Sequence, residues 1–402
     1  MTTVGYRSIA TRPVLVWTAA ALANKLPIAM APLAFVFLAR ELPGGYALGA
    51  TLAAVWVLSE VVGAPLLGVW FDPDRARLHL AVGLGTGALA YAVLAFGHSL
   101  PLPVLFALTF LSGFGPSASP GGMRATLTRL VPEHDVSKVL SAEVSLNGLV
   151  WAAAPVLVAF VALGAGPGVP MALAAGLNAV AVLLIVFFLP EGRFDPAPAR
   201  GGGSTARILA SAWPSYLTAA ASMAMVAVIE LVLPALVESR GISVRAVAPL
   251  LAAFWVSGVL GGYLYGRRDW PGSRRVQAFL SLLVTTTALT LVAAVPGVIG
   301  IGVALAVGGV FQSAVLVTRN LSLREALPPS AHTAGYAIMY ATTGIGYSIV
   351  AATSALVMTA ASPAVAIVGS GAITLTIGIA AAAAERKRSH RVPAPRDGRD
   401  AG

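Results

Sequence analysis

Cysteine is absent from this 402-residue chain. That excludes disulfides, thiolate metal sites and cysteine nucleophiles. Charge is scarce too: Asp, Glu, Lys and Arg together make up 10% of residues. Lysine occurs only at positions 25, 138 and 387. The five histidines (His79, His98, His134, His332, His390) are scattered at or beyond the ends of the apolar runs, with no metal-ligand spacing. No Walker loop, dinucleotide fingerprint or nucleophile elbow is present. The run Gly83-x-Gly85-x-Gly87 follows no strand and lies inside an apolar stretch, where glycines serve close helix packing. No cofactor, no metal and no enzymatic reaction is expected, and ATP-driven work would need a separate subunit.

What the chain has instead is apolar length. Hydrophobic residues reach 57% and mean hydropathy is +0.85, more apolar surface than a water-soluble fold can hide. A helix crossing hydrocarbon takes about 20 residues, because its backbone polar groups must pair within the segment. Twelve such spans are expected, over 14–39, 47–70, 78–97, 101–123, 138–163, 169–190, 212–237, 246–266, 275–295, 297–318, 333–359 and 363–384. The first is too long for a secretory signal and no small-residue cleavage site follows it, so it reads as a retained helix. The expected class is an all-α polytopic membrane protein. Its net charge of +10 then reflects basic loops facing anionic headgroups, not nucleic acid.

Basic residues set the expected topology. Of the 26 Lys and Arg, 22 fall in the termini and alternate inter-span segments, three (Arg40, Arg240, Arg245) in the others, and Lys25 inside a span. This positive-inside pattern places both termini in the cytoplasm and fits an even number of crossings. The polar segment from Pro190 to Arg207, with Gly201-Gly-Gly-Ser204, divides six spans from six. The expected organisation is a bundle over 1–190, a cytoplasmic linker over 191–211, a second bundle over 212–384 and a disordered tail over 385–402. Leu52-Ala-Ala-Val-Trp56 in the second span recurs as Leu251-Ala-Ala-Phe-Trp255 in the eighth, an offset of 199 that also carries Gly63 onto Gly262. Two related six-helix halves with a site between them are the architecture this duplication predicts.

With these features the chain resembles the major facilitator superfamily from about Pro13 to Ala384. The family's loop motif after the second helix is echoed by Gly68-Val-Trp-Phe-Asp72-Pro-Asp74-Arg75-Ala-Arg77, without the inner glycine, and Gly262-x3-Gly266-Arg267-Arg268 repeats its glycine and basic cluster. Lys25-Leu-Pro27, Gly63-Ala-Pro65-Leu-Leu-Gly68 and Glu230-Leu-Val-Leu-Pro234 are similar to drug-exporter-like permeases of actinobacteria. Two departures stand out. The antiporter motif of the fifth helix is reduced to Ala154-Pro155, with Val150 at a glycine position, and Phe106–Gly122 holds no counterpart of the arginine many proton antiporters carry in the fourth helix.

A charge at the bilayer centre costs from about 2.5 to over 10 kcal/mol, so Lys25, Glu60, Glu143 and Glu230 each need an explanation. The resemblance implies that Lys25 and Glu230 line the central cavity, and that Glu60 and Glu143 lie at the gates. The acids are candidates for binding a proton or a cationic substrate, with Lys25 as counter-charge. Simple mutual neutralisation is the competing explanation, and for Glu143 so is a cytoplasmic network with Arg124 or Arg129. Asn24, Tyr336 and Tyr340 are candidate substrate contacts or interhelical hydrogen-bond partners. Gly68, Asp72, Arg75, Arg77 and Arg124 form the candidate gating set, which the resemblance casts as a brace between helix ends.

The function expected is alternating-access secondary transport. The chain would export a small amphipathic or cationic organic compound in exchange for protons, as a monomer in the plasma membrane. An importer or facilitator without proton exchange, and a non-transporting scaffold or receptor, are the alternatives.

Overall fold

The structure, a computed structural model, describes residues 9–39, 42–43, 45–96, 100–189 and 205–389. Arg7, Arg40, most of the expected linker and residues 390–402 of the expected tail lie outside the described residues. All regular structure described is helical. The helices are α1 (Arg12–Ala39), α2 (Gly45–Trp70), α3 (Ala76–Leu94), α4 (Leu102–Phe114), α5 (Ser119–Arg129), α6 (Val136–Ala165) and α7 (Val169–Phe188). They continue with α8 (Thr205–Ser211), α9 (Trp213–Ser239), α10 (Val247–Arg267), α11 (Arg274–Leu291), α12 (Gly297–Ala326), α13 (His332–Ala360) and α14 (Pro363–Ser389).

Taking α4 and α5 as one broken rod, a long helix occupies every expected span. Ten helices among the described residues are long and apolar enough to cross a membrane. α11, which carries Gln277, Ser281 and four threonines, and α13 are outside that set. Short 3-10 turns, such as Pro73–Arg75 and Glu133–Asp135, join several of the rods.

Three boundaries differ from the sequence reading, each for a physical reason. The fourth span runs on to Arg129 instead of ending at residue 123. Its ladder tightens to a 3-10 turn over Gly115–Ala118, because Pro116 and Pro120 cannot donate, and the helix then resumes. Part of the expected linker is helical: α8 docks Leu209 against Leu323 and Leu327. The twelfth helix continues past residue 384, held by an ion pair of 3.0 Å between the Arg319 guanidinium on α12 and Glu385.

Helix packing falls into two groups. α1 packs on α2, α6 and α7, and α3 packs on α4 and α7; α9 packs on α13 and α14, and α12 on α10 and α11. The groups meet along two seams. In one, α2 and α5 lie against α13; in the other, α6 lies against α10 and α12. Small residues permit both approaches. A side chain on Gly68 would meet the Ala337 methyl at 2.6 Å, one on Gly121 would meet Thr333 O at 2.8 Å, and one on Gly262 would meet Ser145 Oγ at 2.4 Å. Arg75, Arg77, Arg267 and Arg268 mark one end of the bundle, the basic end. Polar contacts that join the groups lie between this end and the middle of the bundle: Arg324 to Glu133 at 2.7 Å, Arg129 to Pro329 O at 3.5 Å, Tyr340 to Glu60 at 3.1 Å and Ser145 to Val259 O at 3.0 Å.

Candidate functional site

A buried ionic cluster is built from three helices. Glu143 on α6 receives the Lys25 ammonium of α1 at 2.8 Å and a two-pronged approach from Arg124 of α5, Nε to Oε2 and Nη2 to Oε1, each 2.8 Å. Glu143 is 2% exposed, Lys25 11% and Arg124 14%, so the acid is sealed while both cations keep an edge open. A planar guanidinium matches a carboxylate with parallel bonds that lysine cannot supply. Lys25 also donates to Asn147 Oδ1 at 3.3 Å, one turn along α6 from Glu143. On its far side, the Arg124 guanidinium lies 5.6 Å over the Tyr336 ring of α13. The cluster therefore touches the other half of the molecule.

Local geometry explains why these side chains meet. The proline-broken stretch before α5 brings Arg124 into the bundle, and Trp17 Nε1 fastens α1 to α5 by donating to Met123 O at 2.8 Å. Asn24 accepts from Ser119 Oγ at 3.1 Å, both residues being buried, so Asn24 acts as an interhelical tie. The lone cation that the sequence sets against the interior acids is thus joined by a second. Arg124, two residues beyond Phe106–Gly122, is carried into the bundle by the continuation of the fourth rod.

The other two acids are each held by a tyrosine. Tyr340 donates to Glu60 Oε2 at 3.1 Å across the α2–α13 seam, while Glu60 Oε1 is buried without a partner among the described residues. Tyr347 donates to Glu230 Oε2 at 2.9 Å within the second group, with the Trp255 indole also in reach. Tyr336, Tyr340 and Tyr347 are four and seven residues apart on α13, a spacing that puts all three on one helix face. Along that face α13 meets Arg124, Glu60 and Glu230 in turn. Tyr336 itself reaches Asn320 O at 3.5 Å.

The loop motif divides. Gly68 sits in the α2–α13 seam, and Arg77 donates to the Leu189 carbonyl at the end of α7. Asp72 stays local: it caps the turn by accepting from Asp74 N at 3.0 Å, lies 3.9 Å from Arg75, and its own N–H donates to His79 Nδ1 at 2.9 Å. Among the described residues Asp72 and Arg75 pair within their loop and brace no other helix. In the glycine run of α3, Gly83 packs against Gly115 O and Gly87 against Pro116 and Asn178, while Gly85 faces open space.

Sequence reasoning missed Asn147, Tyr347 and the depth of Arg124. The signal for Asn147 was its place four residues after Glu143, and for Tyr347 its place seven after Tyr340. Among the described residues no group of three or more His, Asp or Glu could hold a metal ion.

No curated protein sequence matches this chain. Solved structures match over almost their whole length. The human organic anion transporter MFSD10 (TETRAN) aligns with a TM-score of 0.73 at 18% identity, covering 92% of this chain and 99% of its own. A bacterial homologue of the iron transporter ferroportin, in its outward-facing state, aligns with a TM-score of 0.70 at 14% identity, covering 94% of this chain and 99% of its own. The E. coli fucose:proton symporter aligns with a TM-score of 0.68 at 13% identity, covering 92% and 98%. These likenesses establish a shared transporter fold. The sequence model of the Major Facilitator Superfamily matches residues 17–305, and the chain, a multi-pass membrane transporter and not an enzyme, belongs to that superfamily.

Proposed function

We propose that the protein moves a small amphipathic organic molecule by alternating access, exporting it in exchange for protons, in the manner of the drug-exporter-like permeases its motifs resemble. The observation that carries this reading is the Lys25–Glu143–Arg124 cluster lying against Tyr336 of the opposite half. Any solute that alters the pairing in one half changes a contact with the other, which is the linkage alternating access requires. The seams tied near the basic end support a state closed on that side. With the basic end taken as cytoplasmic, that state faces outward and both termini lie inside. Twelve crossings, bundles over 1–190 and 212–384, plasma-membrane residence and a monomeric working unit complete the reading.

Glu60 and Glu230 are the proton-carrying candidates, since each is an acid out of bulk water with a tyrosine hydroxyl beside it and no cation paired to it among the described residues. The test is flux in proteoliposomes with an imposed proton gradient. Glu143→Gln and Glu230→Gln should each lower gradient-driven flux by about tenfold or more. Undiminished flux in both variants would remove these residues from the mechanism. A facilitator without proton exchange is favoured by one observation, the reduced antiporter motif at Ala154-Pro155; it would keep equilibrating its substrate after the proton gradient is collapsed.

A further inference from the structure

We infer that the Lys25 ammonium and the Asn147 amide form the anchoring point for an anionic group, a carboxylate or its equivalent, on the transported molecule. This rests on the transporter reading above and names the substrate class of the same site. Three observations carry it. First, the cluster holds two cations and one acid, so with ordinary side-chain charges it sums to one positive charge in excess. Glu60 and Glu230, the acids that could offset it elsewhere, are held by Tyr340 and Tyr347. Second, Lys25 is redundant for satisfying Glu143. Arg124 alone engages both carboxylate oxygens at 2.8 Å, and Lys25 shares one of them.

Third, donors are left over. An ammonium has three N–H groups; those of Lys25 reach Glu143 and Asn147 Oδ1, and the third has no partner among the described residues. Because Lys25 can only donate, Asn147 must turn its oxygen toward it. Its NH2 group is then free of any partner among the described residues. The result is one charged and one neutral donor side by side, on side chains that each keep an edge exposed, beside an acid 2% exposed. An anion docking there is paired and hydrogen-bonded at once, which a charge leaving water requires. A cation at the same place meets the excess positive charge.

The experiment uses the purified full-length protein and charge-matched probes of one shape, benzoate and 1-naphthoate against benzylammonium and 1-naphthylmethylammonium. Thermal unfolding and intrinsic tryptophan fluorescence report binding. The acids should raise the unfolding temperature with concentration and the amines should not. Lys25→Gln should weaken acid binding by about tenfold or more, Lys25→Arg should retain most of it, and Asn147→Ala should weaken it a few-fold. Stabilisation by the amines, by neither class, or equal binding of acids to the Lys25→Gln variant would each overturn the inference. If Lys25→Gln unfolds, Asn147→Ala and Lys25→Arg decide by the same criteria. Flux in proteoliposomes separates the two levels. Flux indifferent to probe charge sinks the anion anchor and keeps the transporter, whereas no flux of any probe or endogenous solute sinks the transport reading.

Discussion

The two seams between the halves are alike in shape and unlike in chemistry. Both rely on small residues, Gly68 and Ala64 on α2 and Gly262 on α10. In the α6–α10 seam Gly262 meets Ser141 and Ser145, and the tie is a serine hydroxyl donating to the Val259 carbonyl, two groups that do not titrate. In the α2–α13 seam Ala64, Ala337 and Ala341 form a small apolar patch, and the tie is Tyr340 on a carboxyl group whose second oxygen has no partner among the described residues. On the proton-exchange reading proposed above, the first seam would stay as a pivot and the second would answer the protonation of Glu60. A duplicated scaffold need not duplicate its working parts.

The largest effect is expected from Gly262→Leu. A branched side chain where the first added atom would already lie 2.4 Å from Ser145 Oγ and 3.2 Å from Ser141 O must push α6 from α10. Overpacking costs about 1–3 kcal/mol, occasionally more, and transport in proteoliposomes should fall by an order of magnitude or more. Gly148→Ala, whose new methyl would lie 3.4 Å from Val259 Cγ2, is the fitting control and should be nearly silent.

Next in size is Tyr340→Phe. It strips the donor from a buried acid, and an unsatisfied buried group costs about 1–3 kcal/mol. Thermal unfolding should show that loss, and Glu60→Gln in the same chain should recover part of it. Additive losses in this pair would mean that the two side chains do not work as a unit. Ser145→Ala should cost less, about 0.5–1.5 kcal/mol for a single hydrogen bond, and should leave the pH profile of transport unchanged. A shifted pH profile in Ser145→Ala, or an unshifted one in Tyr340→Phe, would reverse the roles assigned to the seams. Smallest is Asp72→Asn, because the Asp72 side chain bonds only within its loop among the described residues. Stability should change by no more than about 0.5 kcal/mol, and flux should hold.

Much of the scaffold was legible in the sequence because lipid imposes a simple rule. A segment that must satisfy its own backbone shows as an apolar run of fixed length, so a helix lies at every expected position. Boundaries were legible only where charge and apolarity change together. Arg124 looked like a loop residue because it follows Pro120-Gly-Gly-Met. Those residues permit close packing instead, against Phe71 and α13, and the helix continues beneath them. The four interior charges were visible as costly exceptions. Their partners were not: Lys25 and Glu143 are 118 residues apart, Glu60 and Tyr340 280, and no local periodicity links such positions. Tyr336 and Tyr340 stood out by spacing, yet which acid each would meet depends on how α13 is rotated against α2. The loop motif carried the opposite lesson, since its family likeness implied a brace and Asp72 forms a local cap.

The ion pair between Arg319 and Glu385 bears on how this protein can be handled. Its guanidinium is almost wholly enclosed and its partner sits at the last helical turns of α14. Trimming the chain at residue 384, where the apolar run stops, would discard the carboxylate and strand a cation inside the fold. A shortened version or a C-terminal fusion should therefore keep Glu385 and join beyond Ser389.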